Sequence, residues 1–240
     1  MSKNKFSFIT WTNTECEDIF DMYFTQQEKY FPDTKSYVFI NDKSDKISNA
    51  HIQLLNKEND PFYKRLLDCL DKVEEDYVIY SQEDYVLYDE PEYEKINDAL
   101  NFLKNSDYSN IRLIKSGNGV GTNSIGKNIY SIDFMSPDLF SQQIAIWKKT
   151  ELKKIINFYK PQNYREAEGY GSLAMRSLQK KSAYYYQGEP QRGLYHCDSK
   201  IYPYVCAAII KKKWNLSEYE PELSKLFDRY NVDYKVRGII

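Results

Sequence analysis

The run DYVIYSQEDYVLYD, Asp76 to Asp89, constrains the fold of this chain more than any other stretch. Tyr77 to Tyr80 are uncharged strand formers, the pattern of a strand buried on both faces, and the run then changes at once into Ser81, Gln82, Glu83 and Asp84. Such a strand belongs in the middle of a sheet, and in open α/β sheets ligands are met in the crevice beyond the carboxyl ends of the strands. Two adjacent carboxylates there, with Gln82 beside them, suit a Mg²⁺ or Mn²⁺ ion carrying substrate phosphates. Turn chemistry explains acids after a strand equally well, because polar side chains cap the segment that follows.

The pattern on either side of this run alternates strand and helix, which argues an α/β fold. Phe6 to Trp11 is a short apolar strand, Thr12 to Thr14 a polar turn, and Ile19, Phe20, Tyr23 and Phe24 fall on one helical stripe. A polar turn after a first strand is a usual meeting place for a nucleotide, so Thr10, Thr12 and Asn13 are candidate donor contacts. The same residues serve a plain helix cap, the simpler role for Thr14. Ser36 to Ile40 repeats the theme, ending in Asn41 and Asp42. Asp60 with Pro61 starts a helix, Pro91 another, and Ile111 to Ile114 reads as a strand. The Gly-rich segment Ser116 to Gly126 lacks the lysine and Ser or Thr of a P-loop and reads as a loop beside the site. Further on, Tyr130 to Phe134 and Gln142 to Trp147 are extended, Thr150 caps a helix that Pro161 stops, and Asn163 to Lys180 is helical. Tyr184 to Tyr186 and Tyr204 to Ile210 read as strands, and Ser217 to Tyr230 as the last helix.

Composition narrows the function classes. Lys and Arg total 33 against 35 Asp and Glu, a formal net charge of -2, with no footprint for nucleic acid or an acidic membrane surface. The four cysteines form no C-x-x-C pair and there are two histidines, which argues against a zinc site or a disulfide framework. Neither an apolar signal region nor a transmembrane run is present, so the expected location is the cytoplasm. The 23 tyrosines supply rings able to stack in a cleft.

Four segments together, YSQEDYVLYDEP (Tyr80 to Pro91), SQQIAIWKKTELKKII (Ser141 to Ile156), NYREAEGYGSLAM (Asn163 to Met175) and YVCAAIIKKKWN (Tyr204 to Asn215), resemble small bacterial and phage glycosyltransferases of the GT-A type. The resemblance implies a single GT-A-like domain with a Rossmann-like central mixed sheet flanked by helices. Residues 1–115 would form its nucleotide-sugar half and 116–240 its acceptor half. It implies transfer of a sugar from a nucleotide-diphosphate donor to a glycan or other hydroxyl acceptor, as in surface polysaccharide synthesis. Such enzymes commonly hold Mn²⁺ or Mg²⁺ on the donor diphosphate with a D-x-D at this strand end; here Gln82, Glu83 and Asp84 stand there and the first aspartate is missing.

Glu83 and Asp84 are then the expected metal and donor ligands, with Asp84 also counted as catalytic. His196, in a loop with Asp198, is a candidate third metal ligand. A carboxylate is needed to take the acceptor's proton, and Glu168 is the first choice for it, Glu166 the second. The helix dipole favours acids at a helix start whatever their chemistry. Gln143 and Trp147 are expected on the acceptor face, where a flat ring suits a sugar, although a tryptophan beside a helix is as often core. Two other readings stay open: a sugar-phosphate nucleotidyltransferase, which would want a Gly-rich basic loop that TWTNTECED does not provide, and a non-catalytic carbohydrate-binding protein on the same fold.

Overall fold

The structure, a computed structural model, describes residues 6–117, 121 and 123–240. Four residues of the Gly-rich segment, 118–120 and 122, therefore lie outside the described residues. Strands β1 (Ser7–Trp11), β2 (Ser36–Ile40), β3 (His51–Leu55), β4 (Tyr77–Gln82), β5 (Tyr108–Arg112), β6 (Ser124–Gly126), β7 (Ile129–Ser131), β8 (Ala145–Lys148) and β9 (Lys181–Tyr185) form one nine-stranded sheet in the order β3-β2-β1-β4-β8-β5-β9-β7-β6. The first four are mutually parallel, and β8 lies antiparallel between β4 and β5. The sheet is mixed, as expected, and it runs unbroken through both halves of the chain.

Strand β4 is interior because both its faces are apolar. Ile79 points into a core shared with helices α1 (Glu17–Tyr30) and α3 (Tyr93–Lys104), whereas Val78 and Tyr80 point into a second core under α2 (Phe62–Leu70), α4 (Lys149–Tyr159) and α5 (Tyr164–Ser177). The alternation of faces along a strand thus builds a three-layer molecule. Val78 and Ile79 are fully buried, each contributing roughly 1.5–3 kcal/mol by leaving water.

Two local expectations need correction, and one strand went unforeseen. Strand β3 was not evident, since Ile52 and Leu55 stay exposed at the sheet edge and backbone pairing to β2, rather than a buried face, holds it. Helix α4 starts straight from β8 at Lys149, so Thr150 is not its cap. Tyr204 to Ile210 does not add a regular strand: it runs alongside the segment after β4, with Val205 N–H donating to the Val86 carbonyl (2.9 Å) and Ala208 N–H to the Asp84 carbonyl (3.1 Å). It ends in a short hairpin, β10 (Ile209–Ile210) with β11 (Lys213–Trp214), and then α6 (Leu216–Tyr230). Helix α6 is kinked at Tyr219, two residues before Pro221, whose ring and missing N–H break the regular turn.

Candidate functional site

The carboxyl ends of β1, β2 and β4 meet at one edge of the sheet. There Asn13 accepts from Glu15 N–H (2.8 Å) and caps a single 3₁₀ turn, Thr14–Cys16, that leads into α1. Asn41, at the end of β2, accepts from Thr14 N–H (2.9 Å) and donates to Glu58 (2.8 Å), fastening the two strand ends together. Asp42 is exposed and accepts from Lys43 N–H in its own turn. Thr10 is not available to a ligand: it is fully buried, and its hydroxyl joins Tyr23 (2.9 Å), which donates to Ser81 (2.8 Å). That hydroxyl chain ties β1, α1 and β4 together directly beneath the acids.

Glu83 and Asp84 sit just past β4, hemmed in rather than washed by solvent. The Cys16 thiol and the Thr12 hydroxyl face Glu83, the Ile209 N–H faces the Asp84 carboxylate, and Arg237 bears electrostatically on both. Burial nevertheless dominates and pushes both carboxyls above their ordinary range; Asp84 is raised strongly, with the neighbouring Glu83 charge adding to the effect. Burial likewise pushes the Cys16 thiol upward, so it is no nucleophile.

A buried Asp84 Oδ1 has no hydrogen-bond partner among the described residues. An oxygen left in that state is completed by a cation or a proton. No group of three or more His, Cys, Asp or Glu side chains able to hold a metal exists among the described residues. His196 stands apart from the acid pair: its Nε2 is 2.8 Å from the Tyr219 hydroxyl, its ring stacks on Tyr219, and Glu218 lies 3.7 Å from it. Two adjacent carboxylates with an oxygen left over are a donor set of the kind that a hard divalent cation accepts.

Glu168 reaches the same region from α5, and local packing explains how. Gly171 lets the helix approach so closely that a Cβ there would lie 2.4 Å from the Phe140 ring, while Ser172 donates to the Pro137 carbonyl (2.6 Å) and accepts from Phe140 N–H (2.9 Å). One turn earlier, the Glu168 carboxylate meets the backbone N–H of Gln142. Burial and the Asp138 charge raise its pKa, and the buried Arg112 guanidinium works against them. Glu83 and Glu168 both disfavour ionisation of Tyr80, as Asp84 and Glu168 do for Tyr85, so both rings lie within electrostatic reach of the strand-end acids and of Glu168.

The residue that joins the two sides is Gln142, which sequence reasoning passed over in favour of its neighbour. Its side chain accepts from the Tyr80 hydroxyl (3.1 Å) and from Gln82 Nε2 (3.2 Å) and donates to the Tyr164 carbonyl (2.7 Å). Gln143 instead accepts from the Tyr204 hydroxyl (2.8 Å) and the Cys206 thiol (3.1 Å), pinning the C-terminal segment. Trp147 is not on an acceptor face: it is 1% exposed and packs on Phe140 in the core. Glu166 is taken up by its helix start, accepting from Gln162 N–H (2.8 Å) and Asn163 Nδ2 (3.1 Å) while Asn163 Oδ1 accepts from Glu166 N–H (3.0 Å). That reciprocal pattern is a variant of the capping box in which the acid reaches the amide one residue before the cap. Arg112 and Arg237 carried no sequence signal, since each is brought to the site by contacts distant in the chain.

No family model matches this sequence, and no curated protein matches it. Among solved structures, CMP:2-keto-3-deoxy-manno-octonic acid synthetase complexed with CTP is similar over 76% of this chain and 89% of its own, with a TM-score of 0.50 at 11% identity. A cytidylyltransferase from Leptospira borgpetersenii serovar Hardjo-bovis is similar over 96% of this chain and 97% of its own, with a TM-score of 0.50 at 10% identity. S. aureus TarS is similar over 80% of this chain, with a TM-score of 0.50 at 17% identity, and there the match spans 36% of the longer protein. The chain has the GT-A-like fold of the nucleotide-diphospho-sugar transferases.

Proposed function

We propose that this protein is a glycosyltransferase that moves a sugar from a nucleotide-diphosphate donor to a hydroxyl acceptor. The observation that carries the reading is a pair of strand-end carboxylates, one with an orphaned buried oxygen, sharing with Glu168 an electrostatic hold on Tyr80 and Tyr85. In this reading residues 1–115 supply most of the donor site, through Thr12, Asn13, Asn41 and Gln82 at the strand ends, and residues 116–240 supply the acceptor side. The expected cytoplasmic location goes with it.

Glu83 and Asp84 would hold Mg²⁺ or Mn²⁺, which when bound offsets the negative charge developing on the departing diphosphate. Glu168 acts as general base. The acceptor oxygen forms its bond to the anomeric carbon, the bond from that carbon to the diphosphate oxygen breaks, and the acceptor's proton passes to the Glu168 carboxylate. Displacement of this kind inverts the anomeric centre. Gln142 keeps Gln82 and Glu168 in register by bonding on both sides of Tyr80.

A second reading, nucleotidyl transfer to a sugar phosphate, is favoured by one observation: the cytidylyltransferase likeness spans nearly the whole of both chains. The Thr12–Asp18 turn, with neither glycine nor a basic residue, speaks against a triphosphate grip. The products decide. Incubation with a panel of nucleotide sugars and Mn²⁺ is expected to release nucleoside diphosphate, with a loss of at least ~100-fold in Asp84→Ala. Pyrophosphate released from a nucleoside triphosphate and a sugar phosphate would establish the second reading instead. Sugar binding without turnover of any donor would mark a binding protein.

A further inference from the structure

The hairpin β10–β11 turns through Lys211 and Lys212, with φ of 50° and 66°. A two-residue turn with both central residues left-handed ordinarily takes Asn-Gly, because side chains such as lysine are disfavoured there. Lysine at both positions holds backbone strain at one point of the surface, and such strain concentrates at sites that bind or react. What the turn gains is a cluster of three consecutive cations, Lys211 to Lys213, all exposed.

The base of this hairpin is tied to the acid pair. Ala208 N–H donates to the Asp84 carbonyl (3.1 Å), Ile209 N–H faces the Asp84 carboxylate, and fully buried Trp214 fixes the other strand. The tip leans toward the β1–α1 turn, where Lys212 Nζ lies 4.0 Å from Glu15, both groups open to solvent. Among the described residues no carboxylate comes within ion-pair distance of Lys211 or Lys213. From the same C-terminal region Arg237 enters behind the acids, paired with Asp18, laid over the Trp214 ring at 5.8 Å, and felt electrostatically by Glu83 and Asp84.

Charge balance gives these cations a purpose. Glu83 and Asp84 together cancel a single divalent ion, so a diphosphate brought to that ion finds its own charge, and the charge it gains as the sugar leaves, unopposed. Resting on the nucleotide-diphosphate reading above, we propose that the Lys211–Lys212 turn is a diphosphate-binding element. It closes the donor's phosphates against the acid pair, and Arg237 anchors its base. The turn would present the two lysine charges to the diphosphate that the acid pair's cation carries.

The test replaces the turn by the sequence its geometry prefers. Lys211→Asn/Lys212→Gly removes both charges while suiting the backbone, so the variant is expected to melt no lower than wild type. Isothermal titration with inorganic pyrophosphate and with a panel of nucleoside diphosphates is run on both proteins, in Mn²⁺ and in EDTA. Wild type is expected to retain weakened binding in EDTA, and the variant to bind about tenfold more weakly in both buffers, as loss of charge-assisted contacts implies. Its affinity should also depend less on salt, and Lys211→Arg/Lys212→Arg should restore binding. Equal affinity of wild type and Lys211→Asn/Lys212→Gly overturns the inference and leaves the transferase reading standing. Failure of wild type to bind any of these probes in either buffer sinks both.

Discussion

Asp84 is held in a state that favours its neutral form, with burial and the adjacent Glu83 both acting against its charge. A carboxyl whose folded pKa lies above its unfolded value adds stability that is complete below the unfolded value, 3.8 for aspartate, and is lost as pH rises through the folded one. Charging the pair is thus a strain that function retains. Asp84→Asn is expected to raise the melting temperature by about 2–4 °C at pH 7 while abolishing transfer, with the stability gain vanishing below pH ~4. Thermal scans across that pH range check the sign; a variant less stable than wild type at pH 7 would show that the charge is compensated by the protein alone.

Helix α5 separates two acids of the same segment by the jobs their positions impose. Glu166 closes the capping box, and Glu168, two residues on, faces the sheet edge. Asn163→Ala is expected to cost about 1 kcal/mol in denaturant unfolding with little change in kcat. Glu166→Gln should keep both, because glutamine also closes a capping box. Glu168→Gln should leave stability within ~0.5 kcal/mol and lower kcat by at least ~100-fold. The acidic limb of the wild-type rate profile is expected to lie above the ordinary glutamate range, since a base must be ionised and burial raises the pKa of Glu168. Activity rises with pH through that limb. An unchanged limb in Glu168→Gln would transfer the role to another group.

At the scale of the whole molecule, the C-terminal forty residues return across the sheet to close the site that the first ninety open. Trp214 is the rivet: it is fully buried, packs on Phe227, and pairs with the tail through Gly238 and Ile240. Trp214→Ala is expected to cost about 3–5 kcal/mol, with early proteolytic cleavage beyond Ala208 as the hairpin and Arg237 come loose. Donor binding should weaken in step with that loosening, which limited proteolysis with and without nucleotide diphosphate would show.

Much of this architecture was written into local pattern. The uncharged run of β4, the stripes of α1 and α2, and the sudden acids after Tyr80 gave an α/β sheet with Glu83 and Asp84 just past the carboxyl end of an interior strand, because periodicity and burial are properties of neighbours in the chain. Partnership is not such a property. That Gln142 rather than Gln143 spans the site, that Glu168 meets Gln142 and that His196 belongs to Tyr219 depend on contacts between residues more than twenty positions apart, which only folding brings together.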